Sequence, residues 1–113
     1  MIKGKTSTGF EFEYSEKKMN DWEYMTNYAS MMEALNVLQE DAGDVSAVSA
    51  AIRSMNGIVD FLLGKNASVR LRNHLRKVND GVAGTKEMVK EINEIVLASK
   101  DKSGEDEGTE TKN

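Results

Sequence analysis

The sequence contains neither cysteine nor proline. Without cysteine it can form no disulfide and perform no thiolate chemistry, which is compatible with a reducing compartment such as the cytosol. Without proline, no helix is broken by a residue that lacks a backbone N–H, so a helical fold is favoured. No apolar run approaches the roughly 20 residues of a membrane span, and the N-terminus has no signal-peptide segment. We therefore expect a soluble, intracellular protein that does not bind membranes.

Residues that usually carry catalytic chemistry are also scarce. Histidine occurs once, at His74, and with no cysteine the usual zinc ligand sets are absent. The glycines are scattered as turns and form no phosphate-cradling loop. No carboxylate falls within an otherwise apolar pattern that would suit it to general acid work. We therefore expect a solvated His74, no catalytic, cofactor or metal site, and a protein that is not an enzyme.

Charge is present in both signs but is segregated along the chain. The 113 residues carry 15 Lys and Arg against 19 Asp and Glu, a net charge of −4. Nine acidic residues and two lysines lie between positions 11 and 44, whereas positions 65–77 hold five basic residues and no acidic one. This asymmetry indicates an internal ion-pair interface, a subunit interface or a partner site. The overall acidity argues against a protein that binds nucleic acid strongly.

Aromatic and acidic residues alternate at positions 10–14, after a turn-forming stretch at positions 6–9. A period of two is typical of a strand with one buried face, so Phe10, Phe12 and Tyr14 are predicted to point inward. We predict a small β-hairpin, or at least one strand, over residues 1–14. Two strands alone are barely stable, so this element needs support from the helices or from another subunit.

Apolar residues that recur at spacings of three and four predict four helices, over residues 20–39, 46–63, 66–78 and 85–99. The predicted buried positions are Trp22, Met25, Tyr28 or Ala29, Met32, Leu35 and Leu38 in the first helix, Val48, Ile52, Met55, Val59 and Leu62 or Leu63 in the second, Leu71, Leu75 and Val78 in the third, and Met88 or Val89, Ile92 and Ile95 or Val96 in the fourth.

Polar residues and glycines mark the ends of these helices. Gly64 is predicted to end the second helix in the left-handed conformation, and the Asn79-Asp80-Gly81 sequence predicts a turn. Gly57, inside the second helix, costs about 1 kcal/mol relative to alanine, so it indicates a close crossing with another helix. The candidate N-caps are Asn20 or Asp21, Asp44 or Ser46, Asn66 or Ser68, and Thr85.

The domain organisation follows from composition. Residues 1–99 are predicted to form one compact, mainly α domain with the N-terminal β-hairpin. Residues 100–113, KDKSGEDEGTETKN, contain no apolar side chain. Such a segment cannot bury enough surface to offset the entropy of ordering it, so we predict a disordered acidic tail.

One interpretation of the basic third helix is nucleic-acid binding. It follows another helix across a glycine-containing turn, as in a helix-turn-helix. Successive helices are common in any helical domain, and the acidic N-terminal half would oppose contact with phosphates. A small helix-turn-helix regulator of phage or bacterial origin therefore stands as the alternative function.

Three stretches occur in an order that resembles one known family. GFEFEYSEKKMNDWEYM (residues 9–25) leads from an aromatic-acidic strand into an Asp-Trp-Glu helix start, IVDFLLGKNASVRLRNHL (58–75) ends an apolar helix with Leu-Leu-Gly before a shorter helix, and NDGVAGTKEMVKEINEI (79–95) precedes the polar tail. Across residues 9–99 this arrangement resembles the tail assembly chaperones of long-tailed bacteriophages.

The resemblance implies a small, mostly helical, non-catalytic protein that binds the tape measure protein, keeps it soluble and helps recruit tail tube subunits during tail morphogenesis. It further implies action in the host bacterial cytoplasm and absence from the mature virion. Such chaperones are commonly also made as a longer frameshifted product. Self-association is compatible with the segregated charges.

A tape measure protein is a long amphipathic helix, so a chaperone for it needs adaptable apolar surface. Methionines on the first helix can serve either as core or as such a surface. The candidate partner-binding residues are Trp22, Met25, Tyr28, Met31 and Met32, wherever the core does not use them, and Arg70, Arg72, Arg76 and Lys77 for acidic neighbours.

Overall fold

The computed structural model describes residues 1–112, with side chains as far as Ser99. Within this range the predicted mainly helical fold with an N-terminal β-hairpin is confirmed. The fourth helix was predicted over residues 85–99 but continues to Lys112, and the disorder predicted for residues 100–113 concerns residues whose side chains are not described. The elements are β1 (Ile2–Lys5), β2 (Glu11–Tyr14), a 3₁₀ helix (Glu16–Asn20), α1 (Trp22–Glu40), α2 (Val45–Leu63), α3 (Ala67–Val78) and α4 (Thr85–Lys112).

The chain divides into two compact units. The hairpin unit contains Met1–Glu16 and the chain from Arg70 onward, and the α1–α2 unit contains Lys17–Val69. Helix α3 contributes residues to both units. Buried apolar residues of the hairpin unit are Ile2, Phe12, Tyr14, Leu71, Leu75, Ile92 and Ile95, and those of the α1–α2 unit are Tyr24, Met31, Ala34, Ala47, Ala51, Met55, Ile58, Val59, Leu62 and Ala67.

The hairpin pairs β1 with β2 in an antiparallel register that places Ile2 opposite Tyr14 and Gly4 opposite Phe12. Phe12 and Tyr14 are buried, as their alternation with glutamates predicts. Phe10 was predicted on the same inward face, but it precedes β2 and is half-buried. The Phe12 ring lies over Gly4, where an added Cβ would approach a ring carbon to 2.7 Å. Only glycine therefore lets the ring cover the strand.

Helix α4 supports the hairpin within the same unit and contacts β1. Ile92 and Ile95 are buried, as predicted, and the Tyr14 hydroxyl donates a hydrogen bond to the carbonyl of Ile95. Thr85 was predicted to cap α4, yet the Met88 N–H donates to the carbonyl of Gly84, so the cap position is Gly84. A strand pair that is marginal alone thus gains both apolar and polar contacts from a helix.

Helix α2 begins and ends at the predicted signals. Its N-cap is Asp44, whose side chain accepts a hydrogen bond from the Ala47 N–H at 3.0 Å. Its C-cap is Gly64, with φ of +106° and ψ of 164°. This positive φ requires glycine, although ψ lies outside the left-handed helical region that was predicted.

The buried face of α2 is rotated relative to the prediction. Met55, Val59 and Leu62 are buried as expected, but Ile52 is 45% exposed and Ile58 is fully buried. The prediction for Ile52 was wrong because the row of small residues, Ala47, Ala51 and Ser54, enters the interior instead. Small side chains allow the close approach of α1, the helix with which α2 makes its most extensive contact.

Gly57 confirms the predicted close helix crossing. A Cβ at this position would lie 3.0 Å from Nδ2 of Asn27 on α1. The polar side chain of Asn27 thus occupies the space that a side chain at position 57 would need. Both residues belong to the α1–α2 unit, so this crossing is an internal feature of that unit.

The start of α3 depends on a side chain from α2. Asn66, with φ of +68°, precedes the helix, and the Ser68 N–H donates to Oδ1 of Asp60 at 2.8 Å. Leu71 and Leu75 are buried as predicted. Val78 was predicted to be buried but is exposed, because α3 ends there in the turn at positions 79–81.

Candidate functional site

Helix α1 carries a row of exposed apolar side chains, which we call the α1 row: Trp22, Met25, Tyr28, Ala29 and Met32. Trp22 is 88% exposed, and Met25, Tyr28 and Met32 are 53%, 36% and 42% exposed. Their spacing of three to four residues places them on one side of the helix. These residues were predicted to form the buried stripe of α1, and that part of the prediction was wrong.

A second apolar row of α1 forms the core contact instead. Tyr24, Met31 and Ala34 are buried, with Leu35 and Leu38 half-buried. Met31, one of the partner-binding candidates, is only 6% exposed and is therefore used by the core. The Tyr24 ring stacks on that of Tyr28 with centroids 6.0 Å apart, so the buried row holds one member of the α1 row in place.

The charged side chains of helix α1 are of one sign, although Arg53 of α2 lines a groove together with Asn27 and Ser30 of α1. Helix α1 contains Glu23, Glu33 and Glu40 and no lysine or arginine. Asp21 caps its N-terminus, with Oδ1 accepting from the Glu23 N–H at 2.8 Å. Glu33 also lines an open groove between α1 and α2, together with Asp44. Of these carboxylates, Asp21 precedes the α1 row and Glu33 borders it one turn after Ala29.

The basic candidate residues lie on α3. Arg70, Arg76 and Lys77 are exposed, and Arg72 is half-buried. All four belong to the hairpin unit, whereas the α1 row belongs to the α1–α2 unit. The two sets of candidates thus belong to different compact units.

A cluster of polar side chains that the sequence analysis missed fixes the β1–β2 loop to α4. The Thr8 hydroxyl donates to Oε1 of Glu91 at 2.7 Å. The Ser7 N–H donates to Oε1 of Glu94 at 2.7 Å, and the Ser7 hydroxyl lies 2.8 Å from Oε2 of Glu94 and 3.2 Å from Oε2 of Glu91. Glu91 is only 1% exposed. The sequence analysis did not predict this buried carboxylate.

The sequence does contain a signal for the burial of Glu91. It lies four residues before Ile95 and next to Ile92, on the predicted buried side of α4. The sequence does not predict the hydrogen-bond donors of Glu91, because Ser7 and Thr8 lie more than eighty positions earlier in the chain. In the sequence alone, serine and threonine in a loop indicate only a turn.

His74 was predicted to be a solvated surface residue, but it belongs to the same cluster. Its ring packs against that of Phe10 with centroids 5.6 Å apart, and it is half-buried. Its Nε2 lies 3.1 Å from the carbonyl oxygen of Thr8. A carbonyl can only accept, so Nε2 carries the proton in this contact. His74 thus attaches α3 to the hairpin loop.

Burial raises the pKa of the Tyr14 hydroxyl above its ordinary value of 10.0, while a hydrogen bond with Ser99 acts in the opposite direction. The neutral phenol is therefore the form that the folded hairpin unit favours. Because this hydroxyl donates to Ile95, its role is to hold β2 on α4.

Among the described residues, no group of three His, Cys, Asp or Glu side chains could hold a metal ion. Within residues 1–112, no helix combines the length and the apolar character that crossing a bilayer requires.

The fold defines the chain as a mainly helical protein with an N-terminal β-hairpin. In comparisons with known proteins, no family model, no curated protein and no solved structure matches this chain.

Proposed function

We propose that this chain is a non-catalytic tail assembly chaperone of a long-tailed bacteriophage or prophage, which binds the tape measure protein and helps recruit tail tube subunits. The observation that carries the proposal is the α1 row, with Trp22 88% exposed at its start. Exposed aromatic and methionine side chains on one helix face are typical of surfaces that bind other proteins. The order of sequence features from residue 9 to residue 99 supports the same function.

The α1 row suits the physical task of such a chaperone. A long amphipathic helix aggregates when its apolar face is exposed, and a chaperone must cover that face without one fixed sequence register. Methionine is unbranched and polarizable, so Met25 and Met32 can adapt to different apolar partners, while Trp22 supplies a large anchor. Action in the host cytoplasm and absence from the virion are part of the proposal, because the resemblance implies them.

Co-expression with the tape measure protein encoded in the same genome tests this function. We expect the soluble fraction of the tape measure protein to rise several-fold when this chain is present. Trp22→Glu should abolish the rise, because it replaces the largest apolar side chain of the α1 row with a charged one. Val45→Glu is the matched control, since Val45 is also an exposed apolar residue of the α1–α2 unit and begins a helix, where an acidic side chain is tolerated.

Two results would contradict the proposal. One is a tape measure protein that is no more soluble with this chain than without it. The other is equal solubilisation by the wild type and the Trp22→Glu variant, which would separate the activity from the α1 row. A salt-sensitive shift of duplex DNA by the purified chain would instead support the helix-turn-helix alternative, with the basic residues of α3 as the contact surface.

A further inference from the structure

The α1 row has a defined length and shape. It extends from Trp22 to Met32, which corresponds to about 15 Å along the helix axis. Its backbone hydrogen bonds are made within α1, so a partner cannot add a strand to it. The surface is a single convex helix face, and what packs on such a face is the ridge of another helix.

Charge determines which helix would fit. Glu33 follows Ala29 by one turn and so borders the α1 row directly, and α1 offers no cation to balance it. Carboxylates at the rim of an interface favour partners with opposite charge and speed their association. Anionic lipid surfaces and nucleic acids would be repelled by the same carboxylates.

A second copy of the α1 row is also disfavoured as the occupant. Two rows facing each other in a symmetric dimer would bring acidic borders together, and neither helix has a lysine or arginine to pair with them. We propose that the α1 row binds an amphipathic helix of another protein whose apolar residues are bordered by lysine or arginine. This inference rests on the proposed function only for the identity of that protein.

Synthetic helices test the charge requirement without the natural partner. Two dye-labelled, tryptophan-free peptides of about 18 residues would share leucines at helical spacing of three and four, one with lysine borders and one with glutamate borders. A third would have the composition of the lysine peptide with scrambled leucine positions. Fluorescence anisotropy with the full chain should show the lysine-bordered peptide binding at least about ten-fold more tightly than either of the others.

Variants of the full chain assign the binding to the α1 row. Trp22→Ala should weaken binding of the lysine-bordered peptide by about ten-fold, because the most exposed aromatic side chain of the row is lost. Glu33→Lys should weaken it several-fold and strengthen binding of the glutamate-bordered peptide. Glu23→Lys makes the same charge change on the opposite side of α1 and should alter both affinities less than about two-fold.

Each outcome bears on one proposal. Equal affinity for the lysine- and glutamate-bordered peptides would overturn the charge requirement, while Trp22-dependent solubilisation of the tape measure protein would still support the proposed function. Unchanged binding by Trp22→Ala would overturn the assignment to the α1 row. An oligomer that Trp22→Ala converts to a monomer in sedimentation would show that a second copy occupies the row, and would overturn the assigned partner. Peptide selectivity without solubilisation would contradict only the proposed function.

Discussion

Glu91 is a carboxylate held in the interior of the hairpin unit by hydroxyl groups from the β1–β2 loop. Removing a carboxylate from water is costly unless its oxygens accept hydrogen bonds, and Thr8 and Ser7 supply donors to both of them. The Ser7 hydroxyl has one proton and lies within reach of both Glu91 and Glu94. The loop is therefore positioned by an arrangement in which each group depends on the others.

Shortening Glu91 tests this dependence. We expect Glu91→Ala to lower the free energy of unfolding by about 2–3 kcal/mol, because it leaves the Thr8 hydroxyl without its buried acceptor. Urea unfolding followed by circular dichroism gives the value. Glu87→Ala, at an exposed position of the same helix, should cost less than about 1 kcal/mol. An equal loss of unfolding free energy in the two variants would show that the buried hydrogen bonds of Glu91 add no stability.

Tyr14 gives the hairpin unit a pH dependence of known sign. Its pKa is raised in the folded state, so the stabilisation is fully present below the ordinary pKa of 10.0 and is lost as pH rises through the folded value. We expect Tyr14→Phe to remove this alkaline loss and to cost about 1 kcal/mol at neutral pH through the missing bond to Ile95.

The unfolding midpoints of the wild type and Tyr14→Phe are compared between neutral pH and pH about 11. Because both proteins have the same lysines, the difference between them reports the titration of Tyr14 alone. Tyr28→Phe is the control, because Tyr28 is at the exposed edge of α1. If the difference between wild type and Tyr14→Phe stays constant across this range, the raised pKa does not contribute to stability.

At the scale of elements, the sequence predicts helices well and helix faces less well. Helix α2 has an exposed polar side and clear caps, so its limits are predicted within two residues. Helix α1 has apolar residues in two rows, one through Trp22, Met25 and Met32 and one through Tyr24 and Met31, and both satisfy helical spacing. Only the shape of α2, with its small residues, decides which row is buried.

The candidate site shows the same limit. Four residues of the α1 row were named as candidates from the sequence. Periodicity could not decide whether they lie in the core or on the surface. The polar cluster of Glu91 and Ser7 could not be predicted, because it joins a loop and a helix that are distant in sequence. Sequence patterns predict local structure, whereas a contact of this kind depends on how distant segments of the chain pack together.

Gly57 and Asn27 provide a test of the α1–α2 crossing. Glycine within a helix costs about 1 kcal/mol relative to alanine, but a Cβ at position 57 would approach Asn27 to 3.0 Å. We expect Gly57→Ala to be nearly neutral alone and to stabilise by about 1 kcal/mol in an Asn27→Ala background. A double-mutant cycle measured by urea unfolding gives the coupling, and strictly additive changes would contradict the close approach.

At the scale of the whole molecule, the chain concentrates its apolar residues before position 100. The last fourteen residues contain no apolar side chain and have no means of contributing to a hydrophobic core. The two compact units must therefore draw their stability from the preceding residues. Composition thus distinguishes residues 1–99, which can bury apolar side chains, from residues 100–113, which cannot.

Truncation after Ser99 tests this distinction. We expect residues 1–99 to unfold at the same urea concentration as the full chain, with a free-energy difference below about 0.5 kcal/mol. Peptide binding to the α1 row should also be retained. A large loss of stability on truncation would assign a structural role to residues 100–113 and contradict the predicted disorder.

The exposure of Trp22 also determines how this protein can be observed. It is the sole tryptophan, and at 88% exposure its indole is already surrounded by water in the native state. Unfolding will change its emission little, so intrinsic fluorescence will be nearly silent during denaturation. The same indole would shift its emission to shorter wavelength when an apolar partner excludes water from it. The emission of Trp22 should therefore report the binding of a partner but not the unfolding of the protein.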